Sequence, residues 1–523
     1  MTNIKQQPIA PLQSSIVMKT ITVSPNNRRI AYCFDNQKTV IVDTNTFRSY
    51  DETGRITFSP TSQQYAFLAI SSNRWKVVVD GQEQKEYEYV LDGPAFSAVG
   101  QRLAYSAKIN DKSWAVIDNG KELKPYENLI KGSLSFSPDG QHLAYGAVVN
   151  GKYFVVIDEQ EHKQYANCCG DYKSPIFSPD SQHMVYFASN EDEKQFMVLD
   201  GVEGKRYDIA LACCFSPDSK QLAYWAVEGN NWYVIVNEGK YGPHESGAMI
   251  VFSPDSKQMP YAFVEKGKIY VNVGEKIDGP YDLIRKINFS PDSKRMAYVV
   301  AENEKWFAII DGEKHGPFAD VGPIVFSPDS KRVAYWAKLR SDVGDDYSVV
   351  VDGQSQNKYR KMDYISFSPD SKRVVYYAME LPTTQNGGRG HQLMIDGEVG
   401  AQHHGLFACR SIVFDSPTNL YYLANNDGTI CSVEMDLGTD HNDLNDSKCQ
   451  FCGKQVHEGK GIVVMNQGNA VEVAQQMLSR KCVCSNCSSV FCLECGNAEG
   501  YKKGTGNTHC PNCGKQVALE QLL

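Results

Sequence analysis

One phrase recurs through this chain and limits what it can fold into. Its fullest copy runs Val325-Phe326-Ser327-Pro328-Asp329-Ser330-Lys331-Arg332-Val333-Ala334-Tyr335-Trp336-Ala337, and Val349-Val350-Val351-Asp352-Gly353 follows after a loop. Phe-Ser-Pro-Asp begins at Phe136, Phe177, Phe215, Phe252, Phe289, Phe326 and Phe367, with looser copies at Val23, Phe58, Phe96 and Phe414. The eleven copies are spaced by 35, 38, 40, 41, 38, 37, 37, 37, 41 and 47 residues. A near-constant period of this length is the signature of a repeat array or a propeller.

Each repeat reads as four strands. In the copy at Phe326, Ile324 to Phe326 is a short apolar strand, and Ser327-Pro328-Asp329-Ser330 is a turn. Proline presets φ there, and Ser and Asp can bond their own backbone. Gly140 stands where Ser330 does, which suits a position with φ above zero. Arg332 to Ala337 is a second strand, and Tyr347 to Val351 is an apolar third strand suited to burial on both faces. Asp-Gly then closes a hairpin, as at Asp80-Gly81, Asp200-Gly201, Asp311-Gly312 and Asp396-Gly397, before a more polar fourth strand. Helical repeats are excluded by Pro, Gly and Asp at short intervals. The expectation is an all-β chain built of four-stranded propeller blades. The phrase resembles the Pro-Asp, WD-repeat-like repeats of TolB-type propellers over residues 20 to 435. That resemblance implies a fold and little about function.

Typical rings hold four to eight blades. Eleven repeats therefore suggest two rings, of six and five blades, over residues 21–435, with one very large ring as the alternative. Met259-Pro260-Tyr261 interrupts the usual Val-Ala-Tyr and marks a joint near residue 250. The eleventh repeat lacks a clear fourth strand. Residues 1–20, with the strand-like Ser15 to Thr20, offer a strand to close the ring.

The Ser-Pro-Asp and Asp-Gly turns fall on one face, and the loops between second and third strands fall on the other. Those loops vary most at Lys338 to Asp346 and at Met379 to His391. Variable loops on a rigid scaffold are the usual place for a binding site. Trp75, Trp114, Trp232 and Trp306 open third strands near the variable face; they read as packing between blades, with a partner-binding rim as the sharper alternative.

Of 16 cysteines, nine lie in the last 88 residues. The seven in the propeller, including Cys213-Cys214, read as small buried hydrophobes. No run of about 18 apolar residues occurs, so no membrane span is expected. The amino-terminal segment is polar and lacks the apolar core of a signal peptide. Free thiols without an export signal imply a reducing, cytoplasmic setting.

After a polar linker, residues 436–448, four Cys-x-x-Cys pairs follow in residues 449–523: Cys449/Cys452, Cys484/Cys487, Cys492/Cys495 and Cys510/Cys513. Two thiolates three residues apart can hold one Zn²⁺ from a tight turn, and two such pairs complete a tetrahedral site. Eight ligands imply two structural zinc ions, in knuckles similar to those of zinc ribbons. Pairing is open between a sequential and a cross-braced order. A Cys₄ site has no open position for catalysis. Between 436 and 523, 8 Lys and Arg stand against 9 Asp and Glu, a balance of −1, so the basic surface that nucleic-acid binding needs is missing.

No Gly-x-Ser-x-Gly elbow, Walker-type loop or His-Glu-x-x-His occurs. His391, His403 and His404 are the nearest thing to an acid–base or metal cluster, and loop histidines are usually just solvated. The expected function is a noncatalytic protein-binding scaffold with a zinc tail as a second contact module. An enzyme, lyase or hydrolase, with its site on the variable face is the alternative.

Overall fold

The computed structural model describes residues 3–11, 21–34, 38–43, 45–47, 49–169, 175–339, 346–379, 391–403, 405–406, 412–426 and 429–437, plus four short strands of the tail. All its described elements are strands. They form eleven antiparallel four-stranded blades, one per copy of the phrase. In the ninth blade the inner strand is in two pieces, Asp320–Val321 and Val325–Phe326; Val333–Leu339, Asp346–Val351 and Gln354–Tyr359 follow outward. The second and third strands are the most deeply buried, because a neighbouring blade covers each of their faces.

The Ser-Pro-Asp turn is a small hydrogen-bonded knot. Ser327 Oγ donates to Asp329 Oδ1 at 2.6 Å, and the same carboxylate oxygen accepts from the N–H of Lys331 at 3.1 Å. Ser327 Oγ in turn accepts the Arg332 N–H at 2.9 Å. Ser330 sits at φ +66° and Gly140 at +71°, the left-handed turn position expected from the glycine.

The turn also reaches sideways. The Asp329 N–H donates to Ser371 Oγ of the next blade at 2.9 Å. The same bond runs from Asp139 to Ser181, Asp180 to Ser219, Asp218 to Ser256, Asp255 to Ser293 and Asp292 to Ser330. Arg332 adds a second link, donating to the Ser371 and Lys372 carbonyls while its guanidinium covers the Phe367 ring at 5.3 Å. Deeper in the seam, a ring on one blade's outer strand meets a tyrosine on the next blade's second strand. The pairs Tyr87–Tyr105, Tyr126–Tyr145, Tyr165–Tyr186, Tyr207–Tyr224 and Tyr359–Tyr376 all lie edge to face at 5.9–6.3 Å.

These seams decide the ring count. A separate apolar cluster joins every consecutive pair of blades from the first to the eleventh. One more joins the eleventh back to the first through Leu423 and Ile430 against Ile21, Ile30, Tyr32 and Ile41. Arg28 pairs with Asp415 at 3.1 Å across that last seam and lies over Tyr421 at 4.4 Å. The chain is one ring of eleven blades, and the expectation of two rings is corrected. Pro260 does not break it: Trp225 and Val234 of the sixth blade pack on Tyr261 and Phe263 of the seventh. The strand that completes the eleventh blade is Asn3–Pro11, antiparallel to Thr429–Asp436 from Asn3↔Asp436 to Pro11↔Thr429. It lies upstream of residues 15–20, which fall outside the described residues.

The ring has two kinds of arc. In blades two to five the outer strand is a two-residue ladder, as in Gln82–Glu83 and Lys121–Glu122, rejoined further on by a single bridge such as Trp75↔Tyr87 or Trp114↔Tyr126. There, Lys85, Lys124, Lys163 and Lys205 each reach a glutamate of the next blade: Glu122, Glu161, Glu203 and Glu228, at 2.6–2.8 Å. In blades six to ten the outer strands have six residues, as in Gly239–His244 and Lys276–Tyr281. Lys240, Lys314 and Lys358 instead pair within their own blades.

Replacing Asp329 with Ala removes the acceptor that holds the Ser-Pro-Asp knot. We expect the folded state to lose about 1–3 kcal/mol in urea unfolding. An unchanged midpoint would show that the turn does not carry the seam.

Candidate functional site

The two faces spend their polar groups differently. On the turn face the recurring acids serve the fold. The Ser253 hydroxyl and the Lys257 N–H hold the Asp255 carboxyl below the usual carboxylate range. The Asp of each Asp-Gly hairpin holds the start of the second strand: Asp352 accepts the Val333 N–H at 2.8 Å and the Arg332 Nε at 2.9 Å. These carboxylates are committed to backbone and guanidinium donors.

The opposite face is built from the hairpins between second and third strands. Where they are tight, a carboxylate from the preceding connection caps the turn, as Asp282 does for Asn303 and Glu127 for Asn150, both at 2.7 Å. The two longest loops spring from the paired ends Leu339↔Asp346 and Met379↔His391 of neighbouring blades. Residues 340–345 and 380–390 lie outside the described residues. The four tryptophans sit at this end of the seams and pack between blades, as the sequence implied. Trp75 meets Tyr89 at 4.7 Å, Tyr89 meets Trp114 at 6.0 Å, and Arg285 stacks on Trp306 at 3.8 Å. Tyr89 is the most open of this aromatic row, at 39% exposure.

His391 and His403 stand opposite each other on paired strands. His403 is buried, with Nε2 at 2.8 Å from the Tyr422 hydroxyl. Burial, then the Lys361 charge, pulls His391 below its usual value. His404 lies outside the described residues. Among the described residues, no three His, Cys, Asp or Glu side chains gather as a metal site. Burial pushes the Cys213 thiol up to about 12 and the Cys214 thiol up to about 11, which makes both poor nucleophiles. Cys33, Cys168, Cys169 and Cys431 are buried as well. Cys409 lies outside the described residues.

Of the eight proposed zinc ligands, Cys449, Cys452, Cys484, Cys487, Cys495, Cys510 and Cys513 lie outside the described residues. Cys492 ends the strand Val490–Cys492, which pairs with Lys481–Val483. Thr508–His509 pairs with Gln516–Val517. Each of these strand pairs brackets one Cys-x-x-Cys segment.

No family model and no curated protein matches the chain. Among solved structures it is similar to a eukaryotic initiation factor at 15% identity and TM-score 0.37, covering 65% of this chain and 96% of that one. It is also similar to the hydrazine synthase of Kuenenia stuttgartiensis, at 13% and TM-score 0.24, covering 52% and 97%. A third is the β-propeller domain of the trilobed protease from Pyrococcus furiosus, at 15% and TM-score 0.27, covering 51% and 94%. At these scores the likenesses carry nothing beyond the general fold, and the blade count rests on the strand pairing above. Among the described residues no helix is long and apolar enough to cross a membrane.

One group escaped the sequence reading. His244 ends the sixth blade's outer strand, in a Gly-Pro-His where the next two repeats have Gly-Pro-Tyr and Gly-Pro-Phe. That break in the repeat was the available signal. The ring lies tilted against Phe263 with centroids 4.0 Å apart, and neither of its nitrogens has a hydrogen-bond partner. Burial lowers its pKa, partly offset by the Glu265 charge. The unfolded chain then takes up the proton first, near pH 6.5. Stability should be full above that value and fall as pH drops through it toward the lower folded value. Melting temperatures between about pH 8 and 5 should decline less steeply in His244→Phe than in the natural chain; equal slopes would remove His244 from the account.

Proposed function

We propose that the chain is a noncatalytic protein-binding scaffold whose main recognition surface is the loop face of the ring. The observation that carries this is the division of labour between the faces. The turn-face acids are committed to the fold, as at Asp329 and Asp352, while the two long variable loops start from strand ends of the neighbouring ninth and tenth blades. Recognition needs groups that differ from blade to blade, and the loop face has them. The half-exposed Tyr89 beside Trp75 and Trp114 adds a rigid aromatic contact of the kind enriched at interfaces. The repeats resemble those of TolB-type propellers, and the working compartment is the cytoplasm.

The tail is a second contact module held by two structural Zn²⁺ ions, with Cys449, Cys452, Cys484, Cys487, Cys492, Cys495, Cys510 and Cys513 as ligands. Support comes from the paired strands that bracket two of the Cys-x-x-Cys segments. Its charge balance disfavours nucleic acid as the partner.

Two measurements test this reading. Shortening both loops to the length of the tight turn at Asn303-Glu304 should leave the ring's melting transition in place and abolish capture of the principal partner by the intact chain. Retention of the partner by that double-loop variant, with residues 438–523 also removed, would place the site elsewhere. Metal analysis of the intact chain should find two zinc ions. Chelation should unfold the tail while the ring's transition stays where it was, because structural zinc contributes folding energy directly. Fewer than one zinc per chain would exclude the two-site tail.

A further inference from the structure

One position of the recurring turn divides the ring. The residue after the left-handed one is Lys220, Lys257, Lys294, Lys331 and Lys372 in blades six to ten. In blades two to five the same position holds Gln63, Gln101, Gln141 and Gln182. The turn itself does not ask for lysine. Gln141 and Gln182 give their N–H groups to Asp139 and Asp180 at 3.0 Å, as Lys331 gives its own to Asp329 at 3.1 Å. The clamp to the next blade is also the same. Five ammonium groups in consecutive blades are therefore surplus to the fold.

These lysines stand clear of the carboxylates beside them. The Asp329 carboxylate is tied to the Ser327 hydroxyl and the Lys331 N–H. The Lys331 side chain is 82% exposed, with Nζ 3.8 Å from that carboxylate. Lys257 and Lys294 are placed alike, at 3.9 and 3.7 Å. Ion pairs so long and so exposed hold an ammonium weakly and leave it able to meet a second carboxylate.

The ring hands its chain to the tail on this same face. The Leu437 N–H donates to the Thr418 carbonyl at 2.6 Å, and Thr418 belongs to the eleventh blade's turn, Asp415-Ser416-Pro417-Thr418. The exit lies between the tenth blade, with Lys372, and the first, with Arg28. Toward the first blade, Arg28 is already paired with Asp415 and the following turns offer only glutamines. Toward the tenth, Lys372, Lys331 and Lys294 come in succession. Residues 438–447 lie outside the described residues; their sequence has Asp440, Asp443 and Asp446 and no lysine or arginine. Three residues of extended chain span about 10 Å, and packed sheets lie about 10 Å apart, so acids at this interval can meet one blade each.

We propose that residues 438–447 dock along the lysine arc, Asp440, Asp443 and Asp446 on Lys372, Lys331 and Lys294, and hold the tail to the turn face. Each pair alone is weak. The segment is tethered at the edge of the arc, however, and a short tether gives an effective concentration of about millimolar. A free acidic peptide lacks that advantage, which selects this chain's own segment as the occupant. The contact needs neither zinc nor a partner, so it stands or falls apart from the scaffold reading.

The test is zero-length carbodiimide cross-linking of the full chain, read by mass spectrometry. Links within a turn, such as Lys331 to Asp329, serve as the control for reaction. Links from Asp440, Asp443 or Asp446 to Lys372, Lys331 or Lys294 are expected at low salt. They should be lost at about 1 M salt, where screening acts within about 3 Å. The combined variant Lys294→Gln, Lys331→Gln, Lys372→Gln installs the residue of blades two to five, so the ring's melting temperature should hold. Its cleavage by an Asp-directed protease at residues 440–446 should be severalfold faster than in the natural chain. The proposal is overturned if the control links form without the linker links, if the linker links join only separate copies of the chain, or if the variant is cleaved at the natural rate.

Discussion

Everything in this ring depends on the contact between one blade and the next. A single four-stranded sheet of this kind cannot bury both faces of its second and third strands. Val349 and Tyr376 reach zero exposure only because adjacent blades close over them. The seam is therefore the unit of stability, and the recurring phrase is best understood as a seam rather than a blade. Its Phe lies under the arginine of the blade before, its first Ser ties the turn, its Asp N–H donates to the blade after, and its last Ser accepts from the blade before. Each residue of the phrase that looks local in sequence does part of its work roughly 40 residues away.

This explains what could be read from one sequence. Strand positions, turn type and blade number follow from short-range rules: Pro-Asp turns, Asp-Gly hairpins and apolar runs. The left-handed position was visible because Gly140 replaces Ser330 in the alignment of repeats. Ring number was not visible, because closure is a long-range event. It rests on Ile21 and Tyr32 meeting Leu423 and Ile430, and on Asn3–Pro11 pairing with Thr429–Asp436. Pro260 misled for a related reason. A proline is costly where a ladder bond is needed, yet here the seam around Trp225, Tyr261 and Phe263 packs across it. On the functional side, the four tryptophans pack between blades and Cys33, Cys168, Cys169 and Cys431 are buried, as expected of structural residues, while Cys213 and Cys214 are only partly covered. His244 was legible only as an exception to a repeat, a signal that becomes informative once the repeat's own geometry is known.

The two arcs show that seams of one overall design can be held by different outer bonds. In blades two to five a short outer strand leaves the seam's outer edge to lysine–glutamate pairs between blades. In blades six to ten longer outer strands extend the ladder and the lysines turn inward to their own sheets. Exposed ion pairs contribute little each. The common core of both arcs must therefore be the apolar seam, to which the serine clamp is added where the acceptor serine is present.

The size of the ring follows from the shape of that seam. With more blades the angle between neighbours is smaller, so two facing sheets run closer to parallel from the channel to the rim. A narrow wedge needs side chains of similar thickness along its whole length, whereas a wide one needs small groups inside and large ones outside. The ninth seam has the narrow pattern: Phe367 on the inner strand, Tyr376 on the second and Tyr359 on the outer are all buried in one cluster. The same gradation recurs where Phe136, Tyr145 and Tyr126 meet in the third seam. Large rings at both ends of the seam hold the sheets apart near the channel as well as at the rim. A chain that repeats Phe on the inner strand and Tyr on the outer one fills such a wedge along its whole length.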